Sequence, residues 1–148
     1  MFKQGLIIYF KNFVFNNGDK PKEKYFIVLK NANSGTILGS LPTRKDKIPH
    51  FVNVDHGCVN IQERQYNSYV FQKCKIVCTN GFSFDMRCLI YGSDVDYYEV
   101  ELMKNDYPIE FVDYAIQGEL IASEFESILT CFINSNSIKR GIKRKLQE

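Results

Sequence analysis

The chain has 148 residues, about the length of one domain, and its 45% hydrophobic and 24% charged residues are typical of a globular protein. Twelve Phe and nine Tyr without a Trp favour β-strands, where aromatic side chains pack well on a pleated surface. No apolar run approaches the about 18–20 residues that a membrane-spanning helix needs, and the apolar stretch at residues 5–10 is too short for a signal-peptide core. These features exclude a membrane partner and predict a cytoplasmic protein.

The net charge of +2 conceals a strong separation of charge along the chain. Residues 1–50 contain nine Lys or Arg against three Asp or Glu, and residues 139–145 contain five cations and no anion. Residues 94–126 contain ten Asp or Glu against a single Lys. The basic segments favour a polyanionic partner, whereas the acidic segment would repel a polyanion or attract a basic protein.

The cysteines are odd in number and irregularly spaced, which predicts reduced thiols rather than a disulfide framework. They are Cys58, Cys74, Cys78, Cys88 and Cys131. The gap between Cys74 and Cys78 differs from the two-residue gap usual in zinc knuckles, and His50 and His56 are not spaced with them as ligands would be. We therefore expect neither a metal site nor a cofactor.

In the first half of the chain, short runs of β-branched and aromatic residues alternate with turn residues. The run YFIVLK is continuously apolar and predicts a core strand, and Pro42 ends the next strand or places it at a sheet edge. The predicted elements are strands at residues 5–10, 25–30 and 36–43, a mobile cationic loop at 16–24 and a turn at 31–35.

The second half begins with less regular strands and ends with a helical pattern. Residues 69–79 and 82–91 flank Asn80–Gly81, a favoured hairpin dipeptide, and residues 96–103 alternate polar and apolar side chains as a half-buried strand does. The helix is predicted at about residues 123–134, because six apolar residues share one helical face: Ile121, Phe125, Ile128, Leu129, Phe132 and Ile133.

The ends of this helix complete the predicted domain. Ser123 and Glu126 have the spacing of a capping box, in which two side chains satisfy backbone amides at the helix start. Residues 139–148 are expected to form a frayed basic tail that is broken at Gly141. The sequence thus predicts one β-rich domain at residues 1–138, a small barrel or sandwich with a C-terminal α-helix.

The order of these features resembles the PemK/MazF family of bacterial toxins, whose members are small SH3-like β-barrels that act as ribonucleases. The counterparts are Gly5 before the first strand, the loop at 16–24, Lys24–Tyr25 where the family has Arg-Pro, the strand ending at Thr43, and QGELIASEFESI at residues 117–128. The resemblance covers the first 45 and the last 35 residues, whereas residues 46–93 show no visible match. It implies a toxin that cleaves single-stranded RNA without a metal, a cognate antitoxin and a homodimer.

The resemblance also implies catalytic residues. In the family, the ribose 2′-hydroxyl attacks the adjacent phosphate, an arginine at the start of the second core strand serves the reaction, and a threonine ends the third. These roles fall on Lys24 and Thr43, with Arg44 as the neighbouring guanidinium. Lysine lacks the planar fork with which arginine binds phosphate in a bidentate manner, so Lys24 would act mainly through its charge.

Further cations and one histidine are candidates for RNA binding. These residues are Lys20, Lys22, Lys45 and His56, the last of which lies in the turn-like triplet DHG and can titrate near neutral pH. Lys20, Lys22 and Lys24 are also consistent with a solvated loop that protects a strand edge. Two alternatives therefore stay open: a non-catalytic barrel of the same fold that binds nucleic acid or protein, and an accessory domain whose basic tail docks to a larger complex.

Overall fold

The computed structural model describes residues 2–15, 18, 20–41 and 48–148, and within these ranges the strands form two antiparallel sheets. Sheet A contains, in spatial order, β7 (Asp96–Glu99), β3 (Gly35–Leu41), β2 (Lys22–Ala32), β1 (Leu6–Phe13) and β8 (Tyr114–Glu119). Sheet B contains β4 (Gly57–Ile61), β5 (Tyr66–Phe71) and β6 (Cys88–Tyr91). The helices are α1 (Val100–Asp106), α2 (Ala122–Ile133) and α3 (Arg140–Gln147). The prediction of a β-rich chain with a C-terminal helix is confirmed.

Sheet A is the middle layer of the fold, because its central strands are buried on both faces. Phe26, Ile27, Val28 and Leu29 are all fully buried, as expected for a continuous apolar run with a packed layer on either side. Alternate side chains along β2 therefore enter two different cores. This alternation determines which face of sheet A each side chain of β2 lies on.

One face of sheet A packs against sheet B, α2 and α3, and we call the resulting cluster the central core. Among its members are Ile7, Ile27, Leu29, Tyr69, Phe71, Ile128 and Phe132. The opposite face of sheet A packs against α1, and we call that cluster the peripheral core. It includes Ile8, Phe10, Phe26, Val28, Met103 and Tyr107.

The two sheets approach each other closely where β3 meets β6. A Cβ atom at Gly39 would lie 3.1 Å from Cγ2 of Ile90, which is closer than nine in ten such contacts in proteins. The missing side chain at Gly39 therefore lets the sheets meet with Ile90 fully buried between them. Because interiors are close-packed, even one additional methyl group at this crossing would displace its neighbours.

Two predicted strand regions are shorter than the sequence indicated. The strand predicted at 96–103 ends at Glu99 and continues as α1, because Met103 and Tyr107 lie one helical turn apart and both enter the peripheral core. The turn at Asn80–Gly81 is present, with Gly81 at a φ of +87°. The flanking segments, however, are joined by an isolated bridge between Ile76 and Ser83 rather than by a long hairpin.

The predicted helix at 123–134 is confirmed as α2, but the predicted capping box is wrong. The residue that caps α2 is Ile121, and Ser123 already lies inside the first turn. The amide of Ile121 donates a hydrogen bond to the Val77 carbonyl at 2.9 Å, and the amide of Phe125 donates to the Ile121 carbonyl at 3.0 Å. Backbone contacts with the neighbouring segment thus fix where the helix begins.

Residues 140–147 form α3, so the prediction of a frayed tail broken at Gly141 is wrong. Ile142 and Leu146 lie one turn apart and are both buried in the central core. Two of the cations also contact the rest of the protein, since Lys139 pairs with Asp96 at 3.1 Å and the Lys145 ammonium lies 4.0 Å from the centre of the Tyr97 ring. The strongly basic composition obscured a short amphipathic helix. None of the helices in the described ranges combines the length and apolar character needed to cross a membrane.

Candidate functional site

Two lysines that were predicted to bind RNA and the lysine that was predicted to be catalytic lie at one end of β2, and we call this region the lysine edge. It comprises Lys20, Lys22 and Lys24 together with the ring of Phe15. The β1–β2 pairing aligns Phe13 with Lys22 and Phe10 with Lys24, so both cations stand beside the start of the connecting loop. The hairpin itself therefore gathers these charges.

Phe15 is the organising side chain of the lysine edge. The ammonium groups of Lys22 and Lys24 each lie 5.6 Å from the centre of its ring. At this distance a cation is attracted by the negative face of an aromatic ring. Phe15 is half-buried and packs against Phe13 with ring centres 5.1 Å apart, so the peripheral core supports it from below.

A carboxylate lies within electrostatic reach of the same edge. Partial burial raises the pKa of Asp94 above its ordinary value, and the positive charges of Lys24 and Lys139 act in the opposite direction. Lys24 therefore already has a favourable anionic neighbour in the folded chain. Any phosphate bound at this edge would share the charge of Lys24 with Asp94.

The other predicted catalytic residues, Thr43 and Arg44, and the predicted RNA contact Lys45 lie outside the described residues. Leu41 is the last described residue before them, and it pairs with Tyr25, the neighbour of Lys24. The described end of β3 thus lies beside the start of β2. Lys24 is accordingly the predicted catalytic residue whose surroundings the structure describes.

His56 lies on the other side of sheet A from the lysine edge. Its ring contacts Tyr69 and Phe71 of the central core, with ring centres 5.8 Å and 6.0 Å apart. Lys24 has the same strand parity as Phe26 and Val28, which belong to the peripheral core. The structure therefore separates His56 from Lys24 by the full thickness of the sheet.

A hydrogen-bonded network holds His56 in place. Its Nε2 lies 2.5 Å from Oε1 of Glu124, and its Nδ1 accepts a hydrogen bond from the Gln72 amide at 3.0 Å. Because the Gln72 amide can only donate, Nδ1 carries no proton and the ring is the neutral tautomer that donates from Nε2. The Tyr69 hydroxyl donates to the same Glu124 oxygen at 2.8 Å. Burial and the hydrogen bond to Glu124 raise the pKa of Tyr69, so this hydroxyl keeps its proton.

Three of these residues, His56, Tyr69 and Glu124, line an open cavity of about 660 Å³ between α2 and sheet B, which we call the Glu124 cavity. Glu126 contributes a second carboxylate to its lining, and no Lys or Arg is among the described residues that form it. Two like-charged carboxylates repel a phosphate anion. Both ring nitrogens of His56 are also engaged, so its predicted role in RNA binding stays a prediction that this arrangement disfavours.

A disulfide bond closes one wall of the Glu124 cavity, and the prediction of five reduced thiols is therefore wrong. Cys58 of β4 and Cys131 of α2 are joined with their Cα atoms 5.5 Å apart, whereas Cys74, Cys78 and Cys88 are free. The odd number of cysteines did not exclude one pair, because pairing depends on the proximity that the fold creates. The bond fastens α2, which carries Glu124, onto sheet B.

The chemistry available in the Glu124 cavity is that of an oriented carboxylate. Oε1 of Glu124 accepts from Tyr69 and His56, and no described residue donates a hydrogen bond to Oε2. Such a group can accept a proton or a hydrogen bond from a polar ligand in the cavity. Sequence reasoning missed Glu124 and Tyr69, because 55 residues separate them in the chain.

No protein-family model, curated protein or solved structure matches this chain.

Proposed function

We propose that this chain is a MazF-like toxin that binds single-stranded RNA at the lysine edge and cleaves it there without a metal. The observation that carries the proposal is the register of β2 and β3. Tyr25 pairs with Leu41, which brings the described end of β3 beside Lys24. The resemblance assigns its two catalytic roles to the start of one of these strands and to the end of the other. Three lysines and an aromatic ring lie at that end of the sheet.

The lysine edge suits a single-stranded nucleic acid for two physical reasons. Ammonium groups neutralise phosphates and release the counterions condensed on the strand. A half-buried aromatic ring such as Phe15 offers a surface on which a base can stack, and stacking does not depend on base identity. Together they predict binding that depends strongly on salt and little on sequence.

In catalysis, one residue would stabilise charge and another would position the phosphate. Lys24 would stabilise the negative charge that develops on the phosphate during attack by the 2′-hydroxyl, Thr43 would position the phosphate oxygens, and Arg44 would assist. The SH3-like closure of the two sheets, the homodimer, the antitoxin partner and the cytoplasmic location belong to this same proposal. A reducing cytoplasm would also open the Cys58–Cys131 bond, so the redox state of that pair in cells reports on the location.

One observation favours a second candidate, a non-catalytic RNA-binding protein of the same fold. Asp94 already interacts with Lys24 and reduces the positive potential available to a developing phosphate charge. Binding by Lys20 and Lys22 would be less affected than catalysis by Lys24. The two candidates therefore differ in whether bound RNA is cut.

The deciding experiment incubates the purified chain with a long single-stranded RNA in excess EDTA. The test variants are Lys24→Ala and Thr43→Ala, and Lys104→Ala is the matched control because it removes the same charge from α1, on an exposed part of the surface. The toxin proposal expects discrete cuts that survive EDTA, disappear in both test variants and persist in the control. Lys24→Arg should retain or increase cleavage, since arginine restores the planar fork.

Binding is measured in parallel as a function of salt. For single strands, the logarithm of the affinity falls with the logarithm of the salt concentration by about 0.7 per phosphate neutralised. Lys22→Ala should lower this slope by about 0.7, whereas Lys104→Ala should leave it unchanged. RNA that is bound with this slope but never cut would establish the binding protein, and RNA that is neither bound nor cut would refute both candidates.

A further inference from the structure

We propose a second binding site, for an alkylated ammonium group, in a cavity that faces away from the lysine edge. The cavity has a volume of about 460 Å³, within the range of about 300–1,000 Å³ that is usual for small-molecule sites. We call it the aromatic cavity, and its defining residues are Tyr9, Tyr25, Phe82, Phe84, Glu23 and Asp85.

The fold builds this cavity from two separate parts of the chain. Tyr9 and Tyr25 are direct partners in the β1–β2 pairing, so their rings stand side by side on one face of sheet A. Phe82 and Phe84 follow the turn at Asn80–Gly81. Backbone hydrogen bonds hold that segment in place, from the Val77 amide to the Phe82 carbonyl at 3.0 Å and from the Cys74 amide to the Phe84 carbonyl at 2.7 Å.

The four rings form a continuous aromatic wall. The centres of Tyr9 and Tyr25 are 5.1 Å apart with planes tilted by 48°, and Tyr25 meets Phe84 at 6.0 Å and 83°. Phe82 and Phe84 are 5.1 Å apart and nearly perpendicular. Rings set at such angles enclose a corner rather than a flat surface, and aromatic corners of this kind bind cations through the negative faces of the rings.

The charge of the cavity selects a cation over a neutral molecule. Both Glu23 and Asp85 act electrostatically on Tyr25 and raise its pKa, although burial contributes most to that shift. The described lining contains no Lys, Arg or His. On β2, Lys22 and Lys24 point to the opposite face from Glu23, since neighbouring side chains alternate along a strand.

The combination of rings and carboxylates further selects an alkylated ammonium over a primary one. A primary ammonium is compact and strongly hydrated, so that transfer into an aromatic corner loses much of its hydration. Methyl groups on nitrogen spread the charge and provide apolar contact with the rings. Burial of these methyl groups adds a favourable hydrophobic contribution to the cation–π attraction.

The test compares choline with 3,3-dimethyl-1-butanol, a molecule of the same shape in which carbon replaces the charged nitrogen. Binding to the full chain is followed by saturation-transfer NMR on the ligand methyl groups, with sodium chloride balancing the ionic strength. We expect saturable binding of choline at millimolar concentrations and at least about fivefold weaker binding of the alcohol. Equal affinity for the two probes, or no saturable binding of choline, would overturn the proposal.

Substitutions locate the binding within the aromatic cavity. Tyr25→Leu should weaken choline binding by about 3- to 30-fold, whereas Tyr25→Phe, which keeps the ring, should retain it. Asp85→Asn should weaken binding about fivefold. The matched control is Glu63→Gln, which removes an exposed carboxylate from the segment between β4 and β5 and should have no effect. Unchanged choline affinity in a folded Tyr25→Leu or Asp85→Asn variant would refute this location. Thermal melting verifies that each variant is folded.

A peptide that carries trimethyllysine identifies the source of the group. Tighter binding of this peptide than of choline would assign the ligand to a modified protein side chain, and the reverse order would assign it to a free small molecule; both orders support the chemistry. The site is independent of the proposed RNA function. Lysine-edge variants should leave choline binding unchanged, and aromatic-cavity variants should leave RNA binding unchanged, because sheet A separates the two sites.

Discussion

Opening the Cys58–Cys131 bond is expected to destabilise the fold strongly, because the bond closes a long loop. The two cysteines are 73 residues apart. In the chain-entropy treatment, a loop of this length corresponds to about 4 kcal/mol at 25 °C, within the about 2–5 kcal/mol lost when native disulfides are removed. For a chain of this size the melting temperature would fall by about 8–16 °C, at about 2–4 °C per kcal/mol.

The assay is urea denaturation, with the free energy of unfolding compared between oxidised and reduced protein. The variant that lacks the bond combines Cys58→Ser, at an exposed position, with Cys131→Ala, at a buried one. Alanine is used at position 131 because a buried hydroxyl without a hydrogen-bond partner would itself destabilise the fold. The free energy of unfolding of this variant should match that of reduced wild type within about 1 kcal/mol, and adding reductant should not change it further. The control Cys74→Ser replaces an exposed free thiol and should respond to reductant as wild type does.

Counting the reactive thiols in the unfolded protein tests directly whether the Cys58–Cys131 bond forms. Unreduced protein should show the three free thiols of Cys74, Cys78 and Cys88, and reduced protein should show all five. Five reactive thiols without reductant would mean that the bond does not form. Three thiols together with identical denaturation curves before and after reduction would refute the argument that loop closure stabilises this fold.

Three further predictions concern packing, helix propensity and pH. Gly39→Ala should destabilise the protein by about 1–3 kcal/mol in urea denaturation, because its Cβ would press on Ile90 between the sheets; a stability equal to wild type would mean that the crossing is looser than described. Gly141→Ala should instead stabilise the protein by about 0.5–1 kcal/mol, because the position lies inside α3 with no atom near the added Cβ, and a loss of stability would argue against the helix. Burial raises the pKa of Cys78 to about 11 and that of Cys88 to about 12, from ordinary values of 9.0. As the pH rises, the unfolded chain therefore loses these thiol protons before the folded protein does, so the free energy of unfolding should be unaffected below pH 9 and decline as the pH rises towards 12. Cys88→Ala should weaken this decline, and an identical alkaline profile in the variant would contradict the assignment of the decline to Cys88.

The central strands of the fold were predictable because their sequence pattern is local. The continuous apolar run at residues 25–30 has few alternatives to a buried strand, and β2 indeed contains it. By contrast, α3 was missed because five cations dominate residues 139–145, and four of them lie within the helix. The signal that could have found it is the pair Ile142 and Leu146, one helical turn apart.

The Glu124 cavity could not be predicted, because its members come from distant parts of the chain. His56, Tyr69 and Glu124 are brought together only when α2 packs on sheet B, and no spacing in the sequence records that contact. The disulfide was missed for the same reason. The lysine edge was easier to anticipate because Lys20, Lys22 and Lys24 are near neighbours in sequence, although the support from Phe15 and the nearby Asp94 are tertiary features.

The pairing of β1 with β8 has a consequence for how the chain folds as it is made. Phe10 pairs with Tyr114, about 100 residues later, so the strand that completes this side of sheet A is synthesised late. At about 5–20 residues per second, a ribosome needs roughly 5–20 s to make the intervening chain. Throughout that interval one edge of β1 has no partner strand. Ile7 and Ile8 of this strand, which are fully buried in the finished fold, then lack the cover that β8 provides. An exposed edge of this kind is prone to pair with other chains, so this nascent protein is expected to depend on chaperones until β8 emerges.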